Sequence, residues 1–314
     1  MVLEMVRLIM INIKCPICSV EQTKEISSKS LHSYFCPQCC HFFSFDPSIP
    51  LTTSSYYAQK NKRLNKKKGK TTSELNAVIP AKINRRLNWL EKINEKFSSY
   101  ESFLDVGCGD GKFLSALKKR YKSPKFMGVD LSPYEIEHAK QSLSDVHFYC
   151  GVLEDDVVKK QAPFDCVTAF HVIEHVADPK AFLINVKSLL SVKGICVIAC
   201  PIINARLVLT QPFPEFVSSP DKVLTCGHEH LHHFTSESLK RLCNEVGMKL
   251  EAKTTWVYKG RRKLEETVLI LKPTSELSSV KKETFFLKSK ILEWSTRIWA
   301  HAHSCYQNKA NRKA

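Results

Sequence analysis

No apolar run in these 314 residues approaches the roughly 20 needed to cross a bilayer, so a helical transmembrane segment is not expected. The apolar stretch Met1–Ile13 carries Glu4 and Arg7, lacks a small-residue cleavage site and leads straight into a cysteine pair, so a secretory leader is not expected either. A disulfide framework is also missing. The 13 cysteines are odd in number, and Cys166, Cys196 and Cys200 sit inside apolar segments, which fits a reducing cytoplasm. Acidic residues are the other shortage: 31 Asp and Glu against 47 Lys and Arg leave a net charge of +16. That excess favours anionic partners such as nucleotide-linked small molecules, RNA or an acidic lipid surface, and says nothing about fold. Much of it lies in the run Lys60–Lys70 and in the C-terminal tail, and charge runs are most often solvated. No aromatic residue is interleaved in Lys60–Lys70 to stack on bases.

Two C-x2-C knuckles stand at Cys15-Pro-Ile-Cys18 and Cys36-Pro-Gln-Cys39, 17 residues apart. Each places two thiolates on one side of a tight turn, and together they make the four-ligand shell of a structural Zn2+. Cys40 and His41 are spare donors at the second knuckle. Residues 10–45 are therefore read as a zinc ribbon and 46–80 as a basic linker. Ile83, Leu87, Leu90, Ile93 and Phe97 then recur at helical spacing.

Next comes Phe103-Leu104-Asp105-Val106-Gly107-Cys108-Gly109-Asp110-Gly111, an apolar strand that runs into three alternating glycines and then an amphipathic helix. Glycines at such a turn let backbone approach a ligand closely. Nineteen residues after Gly111 a second apolar strand ends in Asp130, where a carboxylate can accept the hydroxyls of a ribose. A nucleoside-type cofactor follows from that order. The loop reads G-x-G-x-G, which disfavours a nicotinamide oxidoreductase.

Beyond it, strands at 102–106, 126–130, 147–150, 166–170 and 195–200 alternate with helices near 112–121, 133–143 and 179–190. Ser132-Pro133-Tyr134-Glu135 reads as a capping box, and Asp178-Pro179 repeats the cap-then-proline arrangement. Such alternation implies an α/β, doubly wound parallel sheet. A helix over 236–245 stops before Gly247, and runs 249–257 and 266–271 are close enough to pair as an antiparallel hairpin at the sheet edge. In residues 274–314, Leu287, Ile291, Trp294, Ile298 and Trp299 share one helical face, with packing on the core or peripheral membrane contact as its two uses.

The chain resembles a class I S-adenosylmethionine-dependent methyltransferase, a likeness carried by residues 105–111, by Asp130, and by Phe164-Asp165 with Phe170-His171-Val172-Ile173-Glu174-His175. The resemblance implies a Rossmann-like seven-stranded sheet with a reversed edge-hairpin strand over 81–273. It implies a cofactor held by Asp105, Gly107, Gly109, Gly111, Asp130, Leu131, Leu153 and Phe170. Val152 stands where many class I enzymes carry an acid for the adenine amino group, so backbone near Val152 and Leu153, or the side chain of Glu154, is expected to replace it.

The cysteine knuckles, Tyr56-Tyr57 and Gly227-His228-Glu229-His230-Leu231 are similar to a bacterial subgroup that methylates sugars. On that likeness the substrate is a small anionic molecule, best guess a nucleotide-linked sugar. His230 would be the base, oriented by Glu229; His171, just beyond the fourth strand, is a second candidate at the methionyl end of the cofactor. An RNA base methyltransferase with a zinc module and a quinone or lipid O-methyltransferase are the alternatives.

Overall fold

The computed structural model describes residues 10–11, 13–21, 23–28, 31–44, 72–122, 124–203, 230–258 and 264–274. The elements in chain order begin with four short strands: β1 (Met10–Ile11), β2 (Thr23–Ser28), β3 (Leu31–Cys36) and β4 (His41–Ser44). Then come α1 (Thr72–Ile93), β5 (Ser102–Val106), α2 (Lys112–Arg120), β6 (Lys125–Asp130), α3 (Pro133–Ser142), β7 (His147–Cys150) and α4 (Asp156–Lys159). The remainder is β8 (Phe164–Phe170), α5 (Pro179–Leu189), β9 (Leu190–Ile202), β10 (His232–His233), α6 (Ser236–Glu245), β11 (Met248–Tyr258) and β12 (Leu264–Pro273). Among the described residues no helix is long and apolar enough to cross a membrane. Tyr56-Tyr57, the Lys60–Lys70 run, Glu229 and the tail helix lie outside the described residues.

The chain divides into two compact units. The larger draws on Pro47–Pro201 and Glu245–Ser275 and holds a seven-stranded mixed sheet in the order β11-β12-β9-β8-β5-β6-β7. β5 pairs in parallel with β6 and β8, β6 with β7, and β8 with β9. Strands covered on both faces read as continuous apolar runs, and Ile195–Cys200 are all fully buried. β12 runs antiparallel to β11 and lies inside it, so the terminal hairpin occupies the edge with its first strand outermost. Chain order reverses between β5 and β8, and ligands of open α/β sheets sit beyond the strand carboxyl ends at such a point. The loops at Gly107 and His171 leave those two ends.

The helix caps formed as read. Ser132 Oγ accepts from Glu135 N at 3.3 Å, with Pro133 at the first helical position. Asp178 Oδ1 accepts from Lys180 N and Ala181 N at 2.9 Å each. Two expectations are corrected. α1 begins at Thr72, so the last nine residues of the segment read as linker, 72–80, are helical. Ile93 is 46% exposed at the helix end, and Phe97 belongs to a separate 3-10 turn, Phe97–Ser99, where its ring meets Tyr100, Phe103 and Tyr121 edge-on. The last turn of an amphipathic helix frays from the core because the next segment, not the helix, supplies the aromatic plug.

The smaller unit draws on Met1–Asp46 and Ile202–Asn244 and holds a five-stranded sheet in the order β1-β2-β3-β4-β10. The cysteine ribbon is therefore completed by a strand from far downstream: His232 pairs with Phe43 and His233 with Phe42. Among the described residues, β10 thus pairs with the ribbon although it falls inside the 81–273 range read from the sequence as the methyltransferase domain.

Candidate active site

In the larger unit the glycine turn is built by backbone. Gly107 N and Cys108 N both donate to Val129 O, at 2.7 and 3.1 Å, tying the loop to the neighbouring strand. Gly107, Gly109 and Gly111 all adopt positive φ, at 68°, 53° and 76°. Their surroundings differ. A Cβ on Gly107 would lie 2.5 Å from Val172 Cγ2 and one on Gly111 2.9 Å from Phe148 Cζ, whereas one on Gly109 meets nothing within 4 Å. The first and third glycines are thus demanded by packing, and the middle one faces open space. Asp130 closes the cradle: Oδ2 accepts from Gly109 N at 2.9 Å and Oδ1 from Ser132 N at 2.8 Å. An ionised carboxylate has about four acceptor positions, so about two remain for a ligand's hydroxyls.

Asp105 lies beneath this loop and is buried; Thr168 Oγ1 donates to its Oδ1 at 2.5 Å. Burial pushes its carboxyl up to about 7, against the hydrogen bond from Thr168 and the attraction of Arg86. Leu131 lends its carbonyl to Cys150 Sγ at 3.8 Å, and Leu153 is buried. The Phe170 ring is held edge-on by Phe113, centroids 4.8 Å apart, and by the Arg86 guanidinium 4.4 Å from its centroid. Of the groups expected near the adenine, Glu154 accepts from the Asn185 amide on Oε1, and the Val152 N–H is given to Asp155 Oδ2 at 3.0 Å.

His171 stands at a strained backbone position, φ 59°, of a kind that costs a non-glycine residue of order 1–3 kcal/mol and concentrates at functional sites. Its N–H bonds Ala199 O at 2.7 Å. The ring is the centre of a charged cluster. Nδ1 meets Glu174 Oε1 at 3.2 Å, and Nε2 lies 3.1 Å from Lys82 Nζ, 3.2 Å from Arg86 Nη2 and 3.5 Å from Glu266 Oε1. Glu266 in turn takes Arg86 on Oε1 and Lys82, at 3.0 Å, on Oε2. The two shortest contacts at Nε2 are with cations, which suits a ring that carries its hydrogen on Nδ1 and a lone pair on Nε2. Burial pushes the imidazole down, but Glu174 and Glu266 outweigh it and hold the group above its ordinary 6.5. Burial first, then Arg86, lowers the Lys82 ammonium. Glu174 is fully buried, and its Oε2 finds no partner among the described residues. Lys82, Arg86 and Glu266 carried no signal in the sequence beyond a helix face and a strand start.

In the smaller unit the four sulfurs of Cys15, Cys18, Cys36 and Cys39 lie within 4.8 Å of one another, with Cys15–Cys39 and Cys18–Cys36 at 3.5 Å each. Hydrogen bonds within the quartet lower the pKa of Cys18 and raise those of Cys36 and Cys39, so the four thiols titrate together. The spare donors stand outside the quartet: Cys40 turns the chain at φ 54°, and His41 Nε2 engages His232 Nδ1 at 3.1 Å. His41 stacks between Phe43 and His232, and burial, then His232 and His233, pushes its pKa well below 6.5. Burial likewise takes His233 down to about 3. His230 is buried beside His233, ring centroids 6.0 Å apart. His41, His232 and His233 are thus packed in the interior of this unit.

Residues 72–253, more than half of the chain, match the methyltransferase-domain family, and the chain belongs to it. Two curated relatives are ubiquinone biosynthesis O-methyltransferases. The one from Idiomarina loihiensis is 34% identical over 107 residues, 32% of this chain and 43% of that protein. The one from Leptothrix cholodnii is 28% identical over 172 residues, 52% of this chain and 71% of that protein. The chain thus spans less than half of the first relative's length. Among solved structures it resembles magnesium protoporphyrin IX methyltransferase from Synechocystis PCC 6803 with bound SAM, at a TM-score of 0.50 and 12% identity, over 73% of this chain and 100% of that one. That likeness concerns the fold.

Proposed function

We propose that the protein is an S-adenosylmethionine-dependent methyltransferase acting on a hydroxyl of a small acceptor, with a phenol of the quinone-precursor type as the leading substrate. The observation that carries the donor assignment is the cradle over Gly109, open in front and closed at the side by Asp130 with acceptor positions to spare. When bound there, the donor supplies an electrophilic methyl on sulfur, and the protein's own task is placement and proton removal. Asp130 takes the ribose hydroxyls, while Phe170 and the backbone at Leu131 and Leu153 line the rest. His171 takes the acceptor's proton on Nε2 and Glu174 holds the ring by Nδ1, since both share one unit with the cradle. The phenol is favoured over the sugar because both relatives named above are O-methyltransferases of ubiquinone biosynthesis.

A nucleotide-linked sugar is the second reading, favoured by the cysteine quartet and the histidine segment that joins its sheet. There His230 is the base and Glu229 its partner. The quartet is proposed to hold a structural Zn2+, with four protein ligands and no open position for water. The test is calorimetry of the full chain with S-adenosylmethionine and S-adenosylhomocysteine, followed by methyl transfer assays on catechols, dTDP- and UDP-sugars and RNA. Methylated catechol, lost in His171→Gln and kept in His230→Gln, supports the first reading. Turnover on a nucleotide sugar with the opposite pattern replaces it with the second, and salt-sensitive turnover on RNA replaces both. Absence of donor and product binding overturns the assignment altogether.

A further inference from the structure

We propose that Glu266 is a positioning residue for His171: from β12 it neutralises the two cations that crowd the imidazole's Nε2 and thereby sets how readily that nitrogen takes a proton. The catalytic part of this rests on the reading of His171 as the base. Glu266 is 2% exposed and has both oxygens committed, Oε1 to Arg86 and Oε2 to Lys82 at 3.0 Å. Those same cations lie 3.2 and 3.1 Å from Nε2. The groups that face the ring come from three elements: Lys82 and Arg86 from α1, Glu174 from the turn after β8, and Glu266 from β12. His175 lies 4.0 Å from Glu174, and buried Asp105 on β5 acts on Arg86.

The charges decide the role. Two cations and two carboxylates surround a neutral ring with no net charge, so a proton arriving on Nε2 raises the cluster to one positive charge. Without the Glu266 carboxylate the same proton must enter a cluster that is already positive, with Arg86 almost wholly out of water and only the outer edge of the ring and Lys82 solvated. A weaker base is the consequence, since proton transfer follows the acceptor's pKa. Lys82 works in the opposite sense: removing its ammonium leaves the cluster negative and the ring easier to protonate.

The experiment is a histidine NMR titration of the full-length protein, wild type against Glu266→Gln and Lys82→Met, with the His171 signal assigned from His171→Gln. The ring pKa is expected to fall by about one unit or more in Glu266→Gln and to rise in Lys82→Met, the size typical of one close charge. The acid limb of the kcat/KM–pH profile is expected to move with it. A Glu266 that only fills space would move neither. Identical His171 titrations in all three proteins overturn the proposal. A ring pKa that moves while the acid limb stays supports the electrostatic link and overturns His171 as the base. Should Glu266→Gln fail to fold, Lys82→Met, on a side chain that is 28% exposed, carries the test alone.

Discussion

Alanine at Gly109 separates what the glycine turn needs for folding from what it needs for binding. The residue sits at φ 53°, so an alanine there accepts left-handed backbone at a cost of about 1–2 kcal/mol. It adds no steric cost, because its Cβ meets nothing within 4 Å. Gly111→Ala carries the same backbone cost at φ 76° and in addition drives a Cβ to 2.9 Å from Phe148 Cζ and 3.4 Å from Ala139 Cβ. Such overpacking costs about 1–3 kcal/mol more. Thermal melts of the two variants are therefore expected to show Gly109→Ala as clearly the more stable. Calorimetry with S-adenosylhomocysteine is expected to rank them differently: the methyl of Gly109→Ala occupies the space reserved for ligand, and affinity falls about tenfold or more, or 1.4 kcal/mol upward. If Gly109→Ala takes up the product as tightly as wild type, nothing lies in front of that glycine and the cradle has been misread.

Asp130→Asn keeps the shape but can present only one acceptor oxygen to Gly109 N and Ser132 N, which now each take one. Loss of a hydrogen bond to a charged acceptor is worth about 1.5–3 kcal/mol, so donor affinity is expected to drop about 10- to 100-fold in a binding titration, and an unchanged Kd would remove Asp130 from the site. The Asp105 carboxyl titrates near 7 when folded and near 3.8 when unfolded, so the folded state holds the proton more tightly. Its contribution to stability is full below pH 3.8 and is lost as the pH rises towards 7; Asp105→Asn is expected to flatten that part of the stability–pH curve, and identical slopes in urea melts would contradict it. Cys36→Ser is expected to lose the Zn2+ proposed for the quartet, read against wild type as zinc per chain by elemental analysis, and to loosen β3, β4 and β10, read as faster amide exchange at 232–235; one zinc per chain in the variant would exclude Cys36 as a ligand.

Much of the larger unit was legible because its signals are local. The strand–glycine–helix order, the caps at Ser132 and Asp178 and the acid at Asp130 are fixed by a few consecutive residues, and each fell where the pattern put it. The cysteine quartet was legible for the same reason, since two short knuckles carry their own turn geometry. The charged cluster was not. Arg86 and Glu266 are 180 residues apart, and His41 and His232 are 191 apart, so no spacing rule connects them.

By itself, then, the chain's order of residues determined its backbone elements, the glycine turn and the thiol quartet, all of which depend on neighbours within one or two turns. Only the tertiary structure decided that Glu266 faces His171 and that a downstream strand completes the ribbon. A strand pattern says which residues alternate or are buried; it does not say which strand becomes its neighbour or in what register, and the pairing of distant charges follows from that register alone.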